Sequence, residues 1–309
     1  MLSMHRCRFL AAILVLLMIG RAAIAAAEKP AEFTVVLLPD TQLYAESHPK
    51  IYLAQTEWIK KRAAADKIKF VIHLGDIVQN VDMEAEWKNA DRAHRVLDKA
   101  VPYSVLPGNH DGGPGNTLLY NKYFGPQRFQ GLAWRGPHMG EKNDNNCCLF
   151  EGRGMKFMVL SLEYNPGEKT LDWANEVVRQ YKDRRVIVAT HCYMRPGGRD
   201  KKIGERIWND LVRKNENIFM TVSGHVLGWE HLTATNDAGR PVYEILSDYQ
   251  GLPNGGDGWL QTLRFVPGEN KIHIRAYSPT LDKYNDAPKH TYTLDYEMKI
   301  NSVSRRNTR

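Results

Sequence analysis

The stretch Pro107-Gly108-Asn109-His110-Asp111 follows a short apolar run, Val101 to Leu106, and opens into a glycine-rich loop that can continue neither strand nor helix. Adjacent Asn and His in such a turn can present a carbonyl oxygen and an imidazole to one cleft. The same arrangement, an apolar run ending in a ligand type, recurs along the chain. Phe33 to Leu38 leads to Asp40, Lys69 to Leu74 to Gly75-Asp76, Arg185 to Thr190 to His191, and Ile218 to Ser223 to Gly224-His225. Carboxylates, a carboxamide and imidazoles make a mixed oxygen and nitrogen set suited to Zn, Mn or Fe, with no thiolate required. Mg and Ca prefer all-oxygen shells, so the imidazoles argue against them. A cation held by such a set lowers the pKa of a coordinated water to roughly 7, and hydrolysis is the natural use of the hydroxide so formed.

These residues need elements to carry them. The apolar runs are short and rich in β-branched residues, which favours buried strands. Between them lie segments of helical period: Ile51, Ala54, Trp58 and Ile59; then Trp87, Ala90, His94 and Leu97; later Leu171, Val178 and Tyr181. Alternation of this kind predicts an α/β fold, a sheet with helical cover, whose ligands gather beyond the carboxyl ends of the strands. Taken singly each residue has a plainer reading, since an Asp or Asn after a strand is usually a turn former or a helix cap. Their joint placement is what points to a site.

The ordered set Asp40-Thr41-Gln42, GDIVQN from Gly75 to Asn80, GNHD from Gly108 to Asp111, His191 and Gly224-His225 resembles the motifs of the calcineurin-like metallophosphoesterases. The resemblance implies a four-layer α/β/β/α sandwich with mixed sheets and one or two divalent cations. It implies that Asp76 bridges two cations about 3.5 to 4 Å apart, with Asn109, His191 and His225 on one and Asp40 on the other. His110 would protonate the leaving oxygen or stabilise charge on phosphate, with Asp111 orienting its ring. The implied activity is hydrolysis of phosphate mono- or diesters, of a small-molecule or polymeric substrate, by metal-bound hydroxide.

Two positions depart from the family pattern. Gln42 replaces the histidine of the first motif, Asp-x-His, and Leu227 replaces the second histidine of the last, Gly-His-x-His. Both missing imidazoles belong to the same cation. That cation is then held by Asp40, Asp76 and Gln42 with water, or Glu230 or His231 substitutes, or the protein uses one metal. A secreted metal-containing binding protein without turnover, a non-catalytic descendant of the same fold, is the alternative from another class. Hydrolysis of a non-phosphate ester is a third.

Residues 1–27 read as an export signal: Arg6 and Arg8, an apolar core from Phe9 to Ile19, then small residues to Ala27. The core is shorter than the roughly twenty residues of a membrane span, so cleavage after Ala27 and a secreted or periplasmic protein are expected, with an uncleaved anchor as the alternative. Losing Arg6, Arg8 and Arg21 takes the net charge from +7 to +4. That balance, with no basic run interleaved with aromatics, gives no reason to infer specific nucleic-acid binding. Cys147, Cys148 and Cys192 remain; one of the adjacent pair bridging to Cys192 is possible. A Cys192-His191 nucleophile is disfavoured, because neighbours on a strand face opposite ways.

No linker divides residues 28–299, which are read as one domain. The stretch Gly112 to Gly154 is irregular and long enough for a specificity element, with Tyr120, Tyr123, Phe124, Phe129, Trp134 and Arg135 able to grip a substrate or merely to pack the loop. Strands are predicted at Met155 to Leu162, His231 to Thr235, Pro241 to Ser247, Trp259 to Phe265, Lys271 to Tyr277 and Thr291 to Met298. Those after Gly228 are expected to add antiparallel strands to a second sheet. Ile203 to Val212 is predicted helical, and Thr170 caps the helix that follows it. The loop Tyr249 to Gly258 is placed to approach the site, and residues 300–309 are expected to form a disordered basic tail.

Overall fold

The computed structural model describes residues 32–298. The segment 1–27 read as a signal and the tail 300–309 both lie outside the described residues.

Strand Phe33–Leu38 shows how the sequence builds the layers. Phe33, Val35 and Leu37 enter a core shared by two sheets, while Val36 and Leu38 face a second core under helices. A strand covered on both faces needs this continuous apolar run. The first sheet runs in the order Lys283–Asn285, Lys271–Ser278, Leu260–Val266, Phe33–Leu38, Ile68–His73, Tyr103–Ser104, with Thr291–Asp295 also paired to Lys271–Ser278. The second runs Gly228–Thr235, Pro241–Asp248, Ile218–Ser223, Arg185–Thr190, Met155–Leu162, Asn146–Gly152, Arg135–His138. Helices Pro49–Arg62 and Glu84–Arg95 cover the first sheet, and Glu168–Gln180 with the turn region Ile203–Val212 covers the second. This is the expected four-layer α/β/β/α sandwich.

The two ends of the sandwich differ in chemistry. Phe33, Phe157, Phe219 and Phe265 meet at one end, with Phe33 and Phe265 stacked at 4.6 Å and Phe33 and Phe157 at 5.4 Å. Phe33, Phe157 and Phe219 lie at or next to the amino ends of parallel strands. The carboxyl ends of those strands, at the opposite rim, carry the polar residues singled out above.

Several expectations change. Of Val101 to Leu106 only Tyr103–Ser104 pairs as strand, because Pro102 has no N–H and Pro107 ends the run at a sheet edge. Leu260–Val266 joins the first sheet antiparallel to Phe33–Leu38, and Lys271–Ser278 pairs antiparallel to Leu260–Val266 in that same sheet, not in the second; only Gly228–Thr235 and Pro241–Asp248 extend the second. The stretch Gly112 to Gly154 contains helix Leu118–Phe124 and the regular strand Asn146–Gly152. Thr170 lies within helix Glu168–Gln180, its hydroxyl donating to Glu163 at 2.9 Å, so it is not the cap. The helix at Ile203 widens into a π turn over Trp208–Val212.

Candidate metal centre

Strands Phe33–Leu38, Ile68–His73, Tyr103–Ser104, Arg185–Thr190 and Ile218–Ser223 each lead to a ligand residue at the polar rim, so both sheets contribute. His191, fully buried, lies at the centre. Its Nδ1 is 2.9 Å from the Leu74 carbonyl, and its Nε2 is 3.1 Å from both Asp76 Oδ2 and Asn109 Oδ1. A carbonyl facing Nδ1 can only accept, so that nitrogen carries a proton and Nε2 is the atom available to a ligand. Ligand atoms of Asp76, His191 and His225 all lie within 4.8 Å of one another, and the rings of His191 and His225 are 4.9 Å apart. Asp40 joins from the first strand, accepting the His225 N–H at 3.1 Å.

The buried acids and imidazoles of this rim shift one another's protonation. Burial alone would strip the proton from His191, but the charges of Asp76 and Asp40 and its hydrogen bonds override this and lift its pKa to about 10. Burial likewise opposes ionisation of Asp76, and the His191 imidazolium with the His110 N–H overcomes it and holds the carboxyl below its usual range. Asp40 is pushed well above the carboxylate range, first by burial and then by the charges of Asp248 and Asp76. His225 is lowered to about 4 by burial and by His191. A pair of acceptor oxygens against one ring nitrogen is satisfied by an imidazolium or by a metal ion, and the oxygen and nitrogen donor set suits the latter.

Close backbone approach shapes these positions. A Cβ on Gly108 would lie 2.1 Å from Asp76 Oδ1, and one on Gly224 would lie 2.0 Å from Asp40 Oδ1. Asp76 and His225 themselves take left-handed backbone conformations, with φ of 48° and 72°, a strain that clusters at functional sites. The His110 ring is oriented by the Gln79 carbonyl, 2.8 Å from Nδ1. This corrects the part given to Asp111. The Asp111 carboxylate accepts the N–H groups of Ile77, Val78 and Gly108 at 2.9 to 3.0 Å and thereby ties the two ligand loops together. Asn80 also holds its loop, bonding Glu86.

The Asp40 half of the cleft is less conventional. Gln42 is buried, its Nε2 donating to Gln79 Oε1 at 3.0 Å, while its own Oε1 has no partner. Such an orphaned acceptor fits a metal-ligating carbonyl. Leu227 is 47% exposed and packs where a Cβ on Gly251 would fall. Neither proposed substitute is free: Glu230 pairs with Lys289 at 2.8 Å, and His231 stacks on Tyr292 at 3.8 Å between ring centres. Both sit on the edge strand Gly228–Thr235.

Some residues at the site were not anticipated. Asp248, wholly buried, ends strand Pro241–Asp248. Tyr164 lies over the imidazoles, 5.2 Å from the His225 ring and 5.9 Å from that of His191. Asp248 obeys the same rule as the ligands, an acid just past an apolar run, and ending the strand at Ser247 hid it. The loop Tyr249 to Gly258 docks on Tyr44, whose hydroxyl accepts the Gly258 N–H at 3.0 Å. Tyr120, Tyr123 and Phe124 pack on Trp87, and Arg135 bonds Asn143 and Asn146, so these serve packing. Cys147, Cys148 and Cys192 are buried and free, against the disulfide; burial lifts the Cys192 thiol to about 12, against a nucleophile.

Comparison with known proteins agrees with the geometry. The family described as calcineurin-like phosphoesterase matches residues 33–228. The chain is 36% identical over 291 residues to the uncharacterized protein YvnB of Bacillus subtilis (strain 168), covering 88% of this chain but only 22% of that protein. The structure is similar to purple acid phosphatase PPD1 of yellow lupin (Lupinus luteus), with a TM-score of 0.57 and 13% identity over 87% of this chain and 55% of the other. It is also similar to GAP50, the anchor in the inner membrane complex of Plasmodium, with a TM-score of 0.55 and 15% identity over 87% and 90%. With the motifs, the sandwich and the match over most of its length all in agreement, the chain belongs to the calcineurin-like phosphoesterase family.

Proposed function

We propose that the protein is an exported, metal-dependent hydrolase of phosphate mono- or diesters. The observation that carries the reading is the convergence of Asp76, His191 and His225 within 4.8 Å, beside a His110 ring held by the Gln79 carbonyl. Asp76, Asn109, His191 and His225 would hold one divalent cation, with Zn, Mn or Fe favoured by the donor set, and Asp40, Asp76 and Gln42 would hold a second. When bound, such cations supply Lewis acidity toward phosphoryl oxygen and lower the pKa of water to roughly 7.

The chain's own residues do the rest. Leu74 keeps the proton of His191 on Nδ1, so Nε2 stays a donor atom toward the cleft. Gln79 does the same for His110, leaving Nε2 as the nitrogen that exchanges a proton with the leaving oxygen. The Asp111 bridge holds the Asp76 and Asn109 loops in register, so that His110 and the ligands keep one geometry. Export rests on the pattern of residues 1–27; among the described residues no helix is long and apolar enough to cross a membrane.

Gln42 and Leu227 favour a second reading, a metal-containing binding protein without turnover. Elemental analysis of the purified protein, with assays of p-nitrophenyl phosphate and bis(p-nitrophenyl) phosphate plus Mn or Zn, separates the two. Metal-stimulated turnover is expected, reduced about 10²- to 10⁴-fold by His110→Ala with metal content unchanged. One equivalent of metal and no turnover of either ester, before or after that substitution, would establish the binding protein.

A further inference from the structure

Asp248 sits at the same rim as the ligands. Its strand pairs in parallel with Ile218–Ser223, Leu246 opposite Ser223, so Asp248 lies two residues past the last paired residue, at the end of the sheet where Gly224-His225 leave the neighbouring strand. On its other side it pairs with Gly228, next to the position where the family pattern has its missing histidine. The residue is 0% exposed, and among the described residues its carboxylate accepts hydrogen bonds from Gln250 alone, at 2.9 Å from the backbone and 3.1 Å from the amide. Among the described residues no Lys or Arg forms an ion pair with it or with Asp40, and the ion pair at this rim is that of His191 with Asp76.

Asp40, Asp76 and Asp248 are thus three buried acids at one rim, and the His191 imidazole is paired with Asp76 alone. Burying charge without a counter-charge is strongly unfavourable, so this wall of the cleft lacks a positive partner. The Gln42 amide gives an independent sign. Only 4% of the residue is exposed, its nitrogen is tied to the loop after Asp76, and its carbonyl oxygen is left without a donor. Carboxylates with an amide oxygen make an all-oxygen set, unlike the imidazole-rich set on the other side of Asp76.

We propose that Asp248 supplies a carboxylate to the cation on the Asp40 side, replacing the imidazoles absent at Gln42 and Leu227 and biasing that position toward a hard cation such as Mn²⁺. The inference rests on the two-cation form of the phosphoesterase reading. An oxygen-only position prefers Mn²⁺ or Mg²⁺, while the position with His191 and His225 suits Zn²⁺ or Fe. The centre is therefore asymmetric in metal preference.

The test is Mn²⁺ titration of the chelator-stripped protein by calorimetry and electron paramagnetic resonance, with melting curves in chelator and in Mn²⁺. Wild type is expected to bind two equivalents with magnetic coupling between them. Asp248→Asn should retain one, lose the coupling, and weaken the other about 100-fold. In chelator the variant should melt no lower than wild type, because one uncompensated charge is gone, and it should gain less on adding Mn²⁺. Two equivalents of unchanged affinity in the variant overturn the inference and leave the two-cation reading standing. So does a lower melting temperature in chelator with unchanged stoichiometry, the mark of a purely structural carboxylate. One equivalent in wild type overturns both, and shows before any substitution is made. If Asp248→Asn does not fold, Asp248→Ser serves under the same criteria.

Discussion

Gly224 shows how finely the ligands are set. With a would-be Cβ 2.0 Å from Asp40 Oδ1, Gly224→Ala must displace Asp40 or the backbone that donates to it. Expected is a loss of roughly 10- to 100-fold in affinity for the cation on that side, comparable to losing a contact that orients a ligand, read by Mn²⁺ titration. Gln42→His acts in the opposite sense. An imidazole there restores the family's first motif, so the same cation should bind more tightly, by direct titration. Unaltered affinity and stoichiometry would mean that residue 42 does not face the metal.

Among the elements, the loops after the strands hold the geometry, and carboxylates brace the loops. Asp111 clamps Ile77, Val78 and Gly108, and Glu86 from helix Glu84–Arg95 accepts the N–H groups of Gln79 and Asn80 at 2.8 and 2.9 Å. A steering role for Asp111 on His110 would predict slower catalysis with metal binding spared. The observed clamp predicts the reverse order. Asp111→Asn places an N–H donor among N–H donors, so stability should fall by about 1 to 3 kcal/mol, with weaker metal binding alongside. Thermal melting and metal titration together decide between the roles. The Asp111 bonds follow from its own backbone turn and from a loop some thirty residues earlier, a pairing that the order of motifs implies only loosely.

For the molecule as a whole, strands Phe33–Leu38 and Ile68–His73 of the first sheet are covered on both faces, and one of those faces buries a histidine network. His94 Nε2 is 2.9 Å from the Tyr52 hydroxyl, and His73 Nε2 is 2.9 Å from the Thr41 hydroxyl. Burial, then the charges of His73 and Arg128, push His94 well below the usual histidine range. The folded protein therefore keeps it neutral while the unfolded chain takes up a proton below about pH 6.5. Unfolded chains bind more protons as pH falls through that value, so this group lowers stability progressively with acidification, by about 1.4 kcal/mol per pH unit. Denaturant titrations from pH 7 to 4.5 should show that His94→Gln removes a slope of this size. An identical pH dependence in the variant would show that His94 is charged in the fold.

How much of this was legible in the chain follows from the range of the forces involved. Asp40, Asp76, Asn109, His191 and His225 could be found because each lies just past an apolar run, and a buried parallel strand imposes that pattern locally. Glycine-rich turns, export-signal composition and the departures at Gln42 and Leu227 are equally local features. The sheet to which Leu260–Val266 belongs was not legible, because antiparallel pairing with Phe33–Leu38 joins segments more than two hundred residues apart and leaves no mark in either. Nor was the work of Asp111 or the rim position of Asp248, since both depend on which backbone donors and charges arrive from elsewhere. Local sequence determined the elements and the types of ligand they carry. Tertiary packing alone decided which charges face one another, because burial and distance set the energy of a charge and neither is defined until the sheets close.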